Sequence, residues 1–460
     1  MKKNKLFLLV AIFAAAFLIL AACGNGDATE TETEPTGDMP MLDPVTDADT
    51  DHVPASDLSG TMSFNWWGND DRHAATIEVI HLFMELHEGV TINYEYGAWD
   101  GWQARITSDL MANQEADLMQ VNFNWLALFS PDGDTFMDLE DPALAALNLN
   151  NWEASDIDMM RRNGVVQGVP VGMTARVPFM RADIYEAAGL QISEINTWSD
   201  LIDAGNAIQS YHGNDVFALS PLGQQSLAYM VFSYIEQFTG RPFVDENFTF
   251  NYTLEELERG FGLVQDFLDN GVIPDGSFDS DPINASNPLW IAGNYGGVSE
   301  WDSSINAWIG NLEEGADVIE IRPHFTYENA LNSGWMSRPS MAFAISRNTE
   351  NPELVSAFLN FMLTDERAIE IIGTDRGVPV NTVGRAHFDQ LPLANDLVVQ
   401  ANAIHATAAT TTMDPVFENP VVRLVYELQL MEIFHRTTTP EEAAYVVYTT
   451  IQDVIDAEMR

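Results

Sequence analysis

Hydrophobic and polar positions alternate from Thr61 to Trp67. Met62, Phe64 and Trp66 share one side and Thr61, Ser63 and Asn65 the other, which predicts a strand. The period then changes. Ile77, Ile80 and Met84, with Val79, Phe83 and Leu86 beside them, recur at spacings of three and four and predict a helix that Asp70 or Asp71 can cap. Val90, Ile92, Tyr94 and Tyr96 alternate again, so the unit reads strand–helix–strand with a right-handed crossover. Similar alternation of strands and helices runs on. Strands are predicted at Asp117–Asn122, Val165–Val171, Val177–Met180, Val318–Ile321 and through Met341, Phe343 and Ile345. Helices are predicted at Asp183–Ala188, from near Thr197, from Thr253 with Glu256 as a capping box to Gly271, from a capping Asn351 with Pro352 at its first position, and from Thr439-Pro440 with Glu442. After Arg376-Gly377-Val378-Pro379 only helices are expected. The fold class is α/β.

The first residues break this pattern. Lys2, Lys3 and Lys5 precede an unbroken apolar run from Leu6 to Leu20, closed by Leu20-Ala21-Ala22-Cys23. The run is short for a membrane span and suits a signal peptide, residues 1–22. The lipobox ending makes Cys23 the lipidated mature N-terminus. It is the single cysteine of 460 residues, so the fold must rely on its core rather than on disulfides. Residues 23–58 are rich in Thr, Asp, Glu and Pro and read as a disordered acidic tether reaching roughly 30 Å r.m.s..

Charge narrows the partners. All lysines fall in the signal, so the mature chain sets 17 arginines against 69 acidic residues, a net of −52 (17 − 69). Nucleic acid and anionic membrane are disfavoured. A saline or alkaline habitat accounts for the acidity better than a cationic ligand does. The remaining 400 or so residues exceed one ordinary core.

Candidate chemistry gathers at predicted strand ends, where open α/β sheets bind ligands. Trp67, Asn69, Asp70 and Arg72 follow the first strand, Trp99 and Asp100 the second, Asn124 and Trp125 the third. Indole faces beside amides, carboxylates and a guanidinium suit a sugar ring. The bland alternative makes Trp66 strand core and the rest an ordinary turn. Catalytic motifs are missing: His87-Glu88 is not followed by a second histidine at ligand spacing, no Gly-x-Ser-x-Gly or phosphate loop occurs, and Asp275, Asp279 and Asp281 do not match a calcium loop. No metal and no cofactor is expected.

Several segments, in order, carry a family resemblance: Trp66-Trp67-Gly68 with Arg72, Gly97-Ala98-Trp99-Asp100-Gly101-Trp102, Asn122-Phe123-Asn124-Trp125-Leu126, Gly168-Val169-Pro170-Val171, Arg338-Pro339-Ser340-Met341 and Arg376-Gly377-Val378-Pro379-Val380-Asn381. With the lipobox, the chain resembles the family 1 extracellular solute-binding proteins, lipoprotein receptors of bacterial carbohydrate ABC importers, and within them the oligogalacturonide receptors. The resemblance implies a two-lobed, type II periplasmic-binding-protein-like fold. Lobe one would be residues 59–175 plus 324–375, lobe two 176–323 plus 376–460, with hinge crossings near Gly172–Arg176, His324 and Arg376. It also implies an oligosaccharide in the inter-lobe cleft, importer permease subunits as partners, a monomer held at the cell membrane by its lipid anchor on the extracytoplasmic side, and no catalysis. Arg176 at the first crossing, Trp301 and Asp302 in lobe two, and Trp335 and Arg338 on the return join the candidate site. If Arg72 and Arg176 both face the cleft, a uronate sugar is placed ahead of a neutral one, because a guanidinium grips a carboxylate with two hydrogen bonds. The competing classes are a secreted glycoside hydrolase or lyase and a purely adhesive surface lipoprotein.

Overall fold

A computed structural model describes residues 58–459 apart from positions 280, 282, 314 and 409. The signal peptide, Cys23 and nearly all of the acidic tether lie outside the described residues. In chain order the main elements are β1 (Ser59–Trp67), α1 (Asp70–Leu86), β2 (Gly89–Gly97), α2 (Trp102–Ala112), β3 (Leu118–Val121), β4 (Val169–Pro170), β5 (Met173–Arg181), α3 (Trp198–His212), α4 (Gln224–Thr239) and α5 (Leu254–Asp269). They continue with β6 (Gly297–Trp301), β7 (Ile319–Ile321), β8 (Met336–Pro339), β9 (Ala342–Ile345), α6 (Pro352–Thr364), α7 (Glu366–Ile372), α8 (Thr382–Phe388), α9 (Leu397–Thr407), β10 (Thr411–Thr412), α10 (Pro420–Phe434) and α11 (Pro440–Glu458). Short helices and 3-10 turns fill the connections. None of the described helices is long and apolar enough to cross a membrane.

Two five-stranded arrangements form. The first sheet runs β2-β1-β3-β9-β4, and the second runs β10-β8-β5-β6 with β7 paired to the end of β5. In the first, β1 pairs in parallel with β2 and β3, so the ends of these three strands emerge on one edge. Its core gathers Phe64, Trp66, Val79, Phe83, Phe343 and Phe358. The second sheet and α3, α4, α5, α10 and α11 enclose a larger apolar body that includes Trp198, Phe232, Phe261 and Tyr426. Burial of these side chains, at about 25 cal/mol per Å², is the main stabilising term.

Local signals translate directly. The capping boxes at Thr197 with Asp200, Thr253 with Glu256 and Thr439 with Glu442 all close. Two expected caps differ. Asn69, not Asp70 or Asp71, caps α1, its side chain accepting from the Arg72 N–H at 3.2 Å. Asn351 makes no cap bond; its Nδ2 donates to the Thr61 carbonyl at 2.9 Å and ties α6 to β1. The tail is also not purely helical, since β10 adds a short parallel strand to β8.

The expected crossings shift for a long-range reason. Ser337 pairs with Ala175 and Arg338 with Thr174, which puts β8 in the second sheet, so the return to the first sheet comes between Pro339 and Ala342 rather than at His324. At the far end α8 packs on α6 and α7, and Phe388 joins Ile369 and Val378 in one small core. Farther on, α9 packs on β5. At the first crossing Gly172 bridges Pro379, and a Cβ there would sit 2.8 Å from the Val378 carbonyl oxygen. Glycine is needed for that approach.

Candidate functional site

The parallel ends of β1, β2 and β3 bring three indoles together. Trp67 meets Trp99 edge-on at 5.3 Å and Trp125 at 5.1 Å, while Trp99 stacks on Trp125 at 5.1 Å with 18° between planes. Trp67 and Trp125 are buried, but Trp99 is 49% exposed. Asp100 beside it is exposed, and the buried Asn124 leaves its Oδ1 without a hydrogen-bond partner. This edge offers a flat apolar face flanked by an unused acceptor, the pairing that a sugar's C–H face and hydroxyl rim require.

The rest of the predicted set at this edge serves the scaffold. Asn69 is the α1 cap and Asp70 lies in its exposed first turn. Arg72 folds back over Gly68, donating from Nε to the Asp375 carbonyl at 2.8 Å and from Nη1 to the Trp67 carbonyl at 3.3 Å. Burial lowers its pKa to about 10, with Asp375 opposing the shift. Next to it Arg376, fully buried and lowered to about 9 by burial and by Arg72, donates to Gln120 and Thr76. These arginines hold the end of β1 in place; Arg72 is committed to backbone carbonyls.

The second sheet supplies a different surface. Arg176 on β5 lies opposite Trp301 on β6. Its guanidinium sits 4.8 Å from the Trp301 ring centroid and 5.4 Å from that of Tyr229 on α4. Arg338 on β8 lies 4.4 Å from the same indole. Arg176 Nη1 donates to the Ser299 carbonyl at 2.8 Å and to Glu300 Oε1 at 2.5 Å, and its Nε has no partner. Arg338 Nη1 reaches Asn122 Oδ1, at the end of β3, at 3.2 Å, so the two surfaces meet at this bond. Glu418, buried, accepts from the Tyr229 hydroxyl and lies 3.7 Å from Arg338 Nε. A cavity of about 230 Å³ opens beside Arg176, lined by Ser220, Ser299, Glu300, Trp308 and the first turn of α4, which carries no side-chain cap.

Two further predicted residues, Trp335 and Asp302, are buried and bonded within the scaffold. Trp335 is buried, donates from Nε1 to the Arg176 carbonyl at 2.9 Å and packs on His405. Asp302 is buried in a polar knot: the Thr174 hydroxyl donates to it, and His405 Nε2 stands 2.6 Å from Oδ2. A hydroxyl, a carboxylate and an imidazole thus meet without the order needed for acyl transfer, because hydroxyl and imidazole both bond the carboxylate rather than each other. Among the described residues no group of three or more His, Cys, Asp or Glu side chains is placed to hold a metal. Glu300, Tyr229 and Glu418 escaped the sequence reading. Glu300 stood next to a named tryptophan, but one Glu among 69 acidic residues carries no local mark.

Comparison with known proteins gives a consistent picture. A family model described as bacterial extracellular solute-binding protein matches residues 78–388. A periplasmic solute-binding protein from Pectobacterium atrosepticum superposes with a TM-score of 0.80 at 26% identity, covering 88% of this chain and 100% of that one. A periplasmic oligogalacturonide-binding protein from Yersinia enterocolitica, solved with saturated digalacturonic acid, gives 0.79 at 24% identity over 87% of this chain and 100% of that one. A receptor of Streptomyces glaucescens, solved unliganded and with acarbose, gives 0.71 at 16% identity over 87% of this chain and 99% of that one. At such identities the last two speak for the fold alone, a two-lobed α/β architecture. A curated binding protein of Brucella abortus is 27% identical over 128 residues, which is 27% of this chain and 29% of that relative, so the match spans under a third of its length.

Proposed function

The chain belongs to the bacterial extracellular solute-binding protein family, and from that premise we propose that it captures an oligosaccharide between its lobes and delivers it to a membrane ABC importer. One observation carries the sugar: the Trp67–Trp99–Trp125 cluster, with Trp99 open, at the shared edge of β1, β2 and β3. The proposed first lobe is residues 58–171 plus 340–393 and the second 172–339 plus 394–459. The first stacks a sugar ring on Trp99 and offers Asp100 and Asn124 to hydroxyls. The second offers Arg176, Glu300, Trp301 and the cavity at the start of α4. A ligand touching both lobes selects the closed arrangement over the open one, and the permease subunits read closure. Residue 23 would hold the receptor at the outer side of the membrane as a lipid-anchored monomer, with the tether giving it reach.

Tryptophan fluorescence of the purified protein, titrated with neutral and uronate oligosaccharides, tests this. A saturable change whose midpoint Trp99→Ala moves to higher sugar concentration is the expected result. Turnover of the sugar to shorter products would replace the receptor with an enzyme, and adhesion to polymer with no saturable fluorescence change would replace it with an adhesin.

A further inference from the structure

We infer that Glu300 sets the charge preference of the second-lobe cavity, so that the ring seated there is uncharged and a uronate carboxylate is refused. The inference rests on the oligosaccharide reading above and goes further by naming the class of sugar and the residue that selects it.

The cavity of about 230 Å³ falls below the ~300–1,000 Å³ usual for a whole small-molecule site, so it is a subsite rather than the full cleft. Its cation is Arg176, more than nine-tenths buried. Beside it lies the start of α4, a 16-residue helix whose first N–H groups have no side-chain cap. Taken alone, that pair would grip a carboxylate. Glu300 alters the balance. Its Oε1 accepts from Arg176 Nη1 at 2.5 Å, the place a ligand carboxylate would take, and it lines the same cavity. Arg176 Nε, though unpartnered, is itself buried, so what remains for a ligand is the uncapped helix N–H groups with Ser220 and Ser299. These serve hydroxyl oxygens. The neighbouring arginines are matched in the same way: Arg338 stands 3.7 Å from Glu418 and Arg423 lies 2.8 Å from Glu427. Arg72, the other guanidinium that would favour a uronate, is spent on the Trp67 and Asp375 carbonyls. A uronate entering the cavity would have to displace Glu300 or stand against it. The general acidity of the chain is screened beyond about 8 Å, so this local pairing decides.

The test compares sugars that differ only in the carboxylate: galactotriose with trigalacturonate, and cellotriose with its uronate counterpart. Calorimetry uses the full protein, Glu300→Gln and Glu300→Ala, with unfolding midpoints checking that the variants fold. Wild type is expected to favour the neutral member of a pair by at least tenfold. Glu300→Gln is expected to gain at least tenfold more on the uronate than on the neutral member of each pair. A purely structural role would shift both members alike, and that result overturns the inference. Wild-type preference for the uronate overturns it as well but leaves the receptor intact. Silence toward every sugar removes the receptor reading and this inference together.

Discussion

Trp99 and Trp125 stack on each other, yet their roles separate by exposure. Trp125 is buried in the first core, whereas Trp99 keeps half its surface open. Trp99→Ala should therefore weaken sugar binding by roughly 2- to 12-fold, the ~0.5–1.5 kcal/mol of an aromatic contact, and change stability by under about 1 kcal/mol. Trp125→Ala should cost about 3–5 kcal/mol in folding. Calorimetry and chemical denaturation on the same variants separate the two effects. Glu236 yields a second residue-scale prediction. Burial raises its pKa to about 7, against hydrogen bonds from Thr411 and Asn332 that lower it. The folded state then binds more protons than the unfolded one between about pH 4.5 and 7, so this group's contribution to stability falls as pH rises through that window. Glu236→Gln should raise stability at pH 8 by up to about 3 kcal/mol and leave it nearly unchanged at pH 4. His324 acts with the opposite sign: burial lowers it to about 4, so its contribution is lost as pH falls from 6.5 toward 4. A pH series of unfolding midpoints for wild type and Glu236→Gln reads both. The residue types at the strand ends were legible in the sequence because alternation and helix period locate strand ends. What each side chain bonds was not. Arg72 meets a carbonyl 303 positions away, and Asp302 meets His405 103 positions away. No local pattern encodes such partners.

At the scale of elements, the legible features were the ones built from neighbours in sequence. The capping boxes read at Thr253 and Thr439 formed, since such a cap needs only residues three apart, and Thr197, read only as a helix start, closes a third. The short strands were harder. The family resemblance put residues 324–375, and so β8, with the first lobe, yet its register with β5 places it in the second sheet. β10 has two residues and no periodicity to detect. Both errors concern pairing across more than 70 positions, which register and packing decide together. The close approach at Gly172 makes a sharp prediction. A methyl group there meets the Val378 carbonyl oxygen at 2.8 Å, in a segment already bonded to Ser340 through the Gly172 carbonyl. Gly172→Ala should destabilise by about 1–3 kcal/mol through overpacking. Gly164→Ala is a useful control for added bulk, since nothing lies within 4 Å of its Cβ position, and its penalty should come from its positive φ alone. Denaturant midpoints decide between them.

The whole molecule carries a formal net charge of −49, with 20 basic residues against 69 acidic ones. Pairs such as Arg161 with Glu140 and Arg436 with Asp269 use the few cations at the surface, and exposed pairs of this kind contribute about 0–1 kcal/mol each. Repulsion among the unmatched carboxylates is the larger long-range effect and opposes compactness. Salt shortens its range to about 10 Å at 0.1 M and about 3 Å at 1 M. The unfolding midpoint should therefore rise steadily between low salt and 0.5 M sodium chloride. A fall would mean that the few ion pairs outweigh the repulsion. The same reasoning reaches binding. Closing the cleft moves two parts of one acidic chain toward each other, and that work must come from the ligand. A neutral oligosaccharide has no charge of its own to screen, so any salt dependence of its affinity reports the repulsion between lobes. Its Kd should tighten as salt rises. With a uronate, screening would also weaken attraction to Arg176 and relieve repulsion from Glu300, leaving a shallower trend. Titrating both sugars at 20, 150 and 500 mM salt measures the electrostatic work of closure through the neutral ligand. If the neutral affinity does not move while the unfolding midpoint does, the repulsion lies within each lobe and closure is electrostatically free.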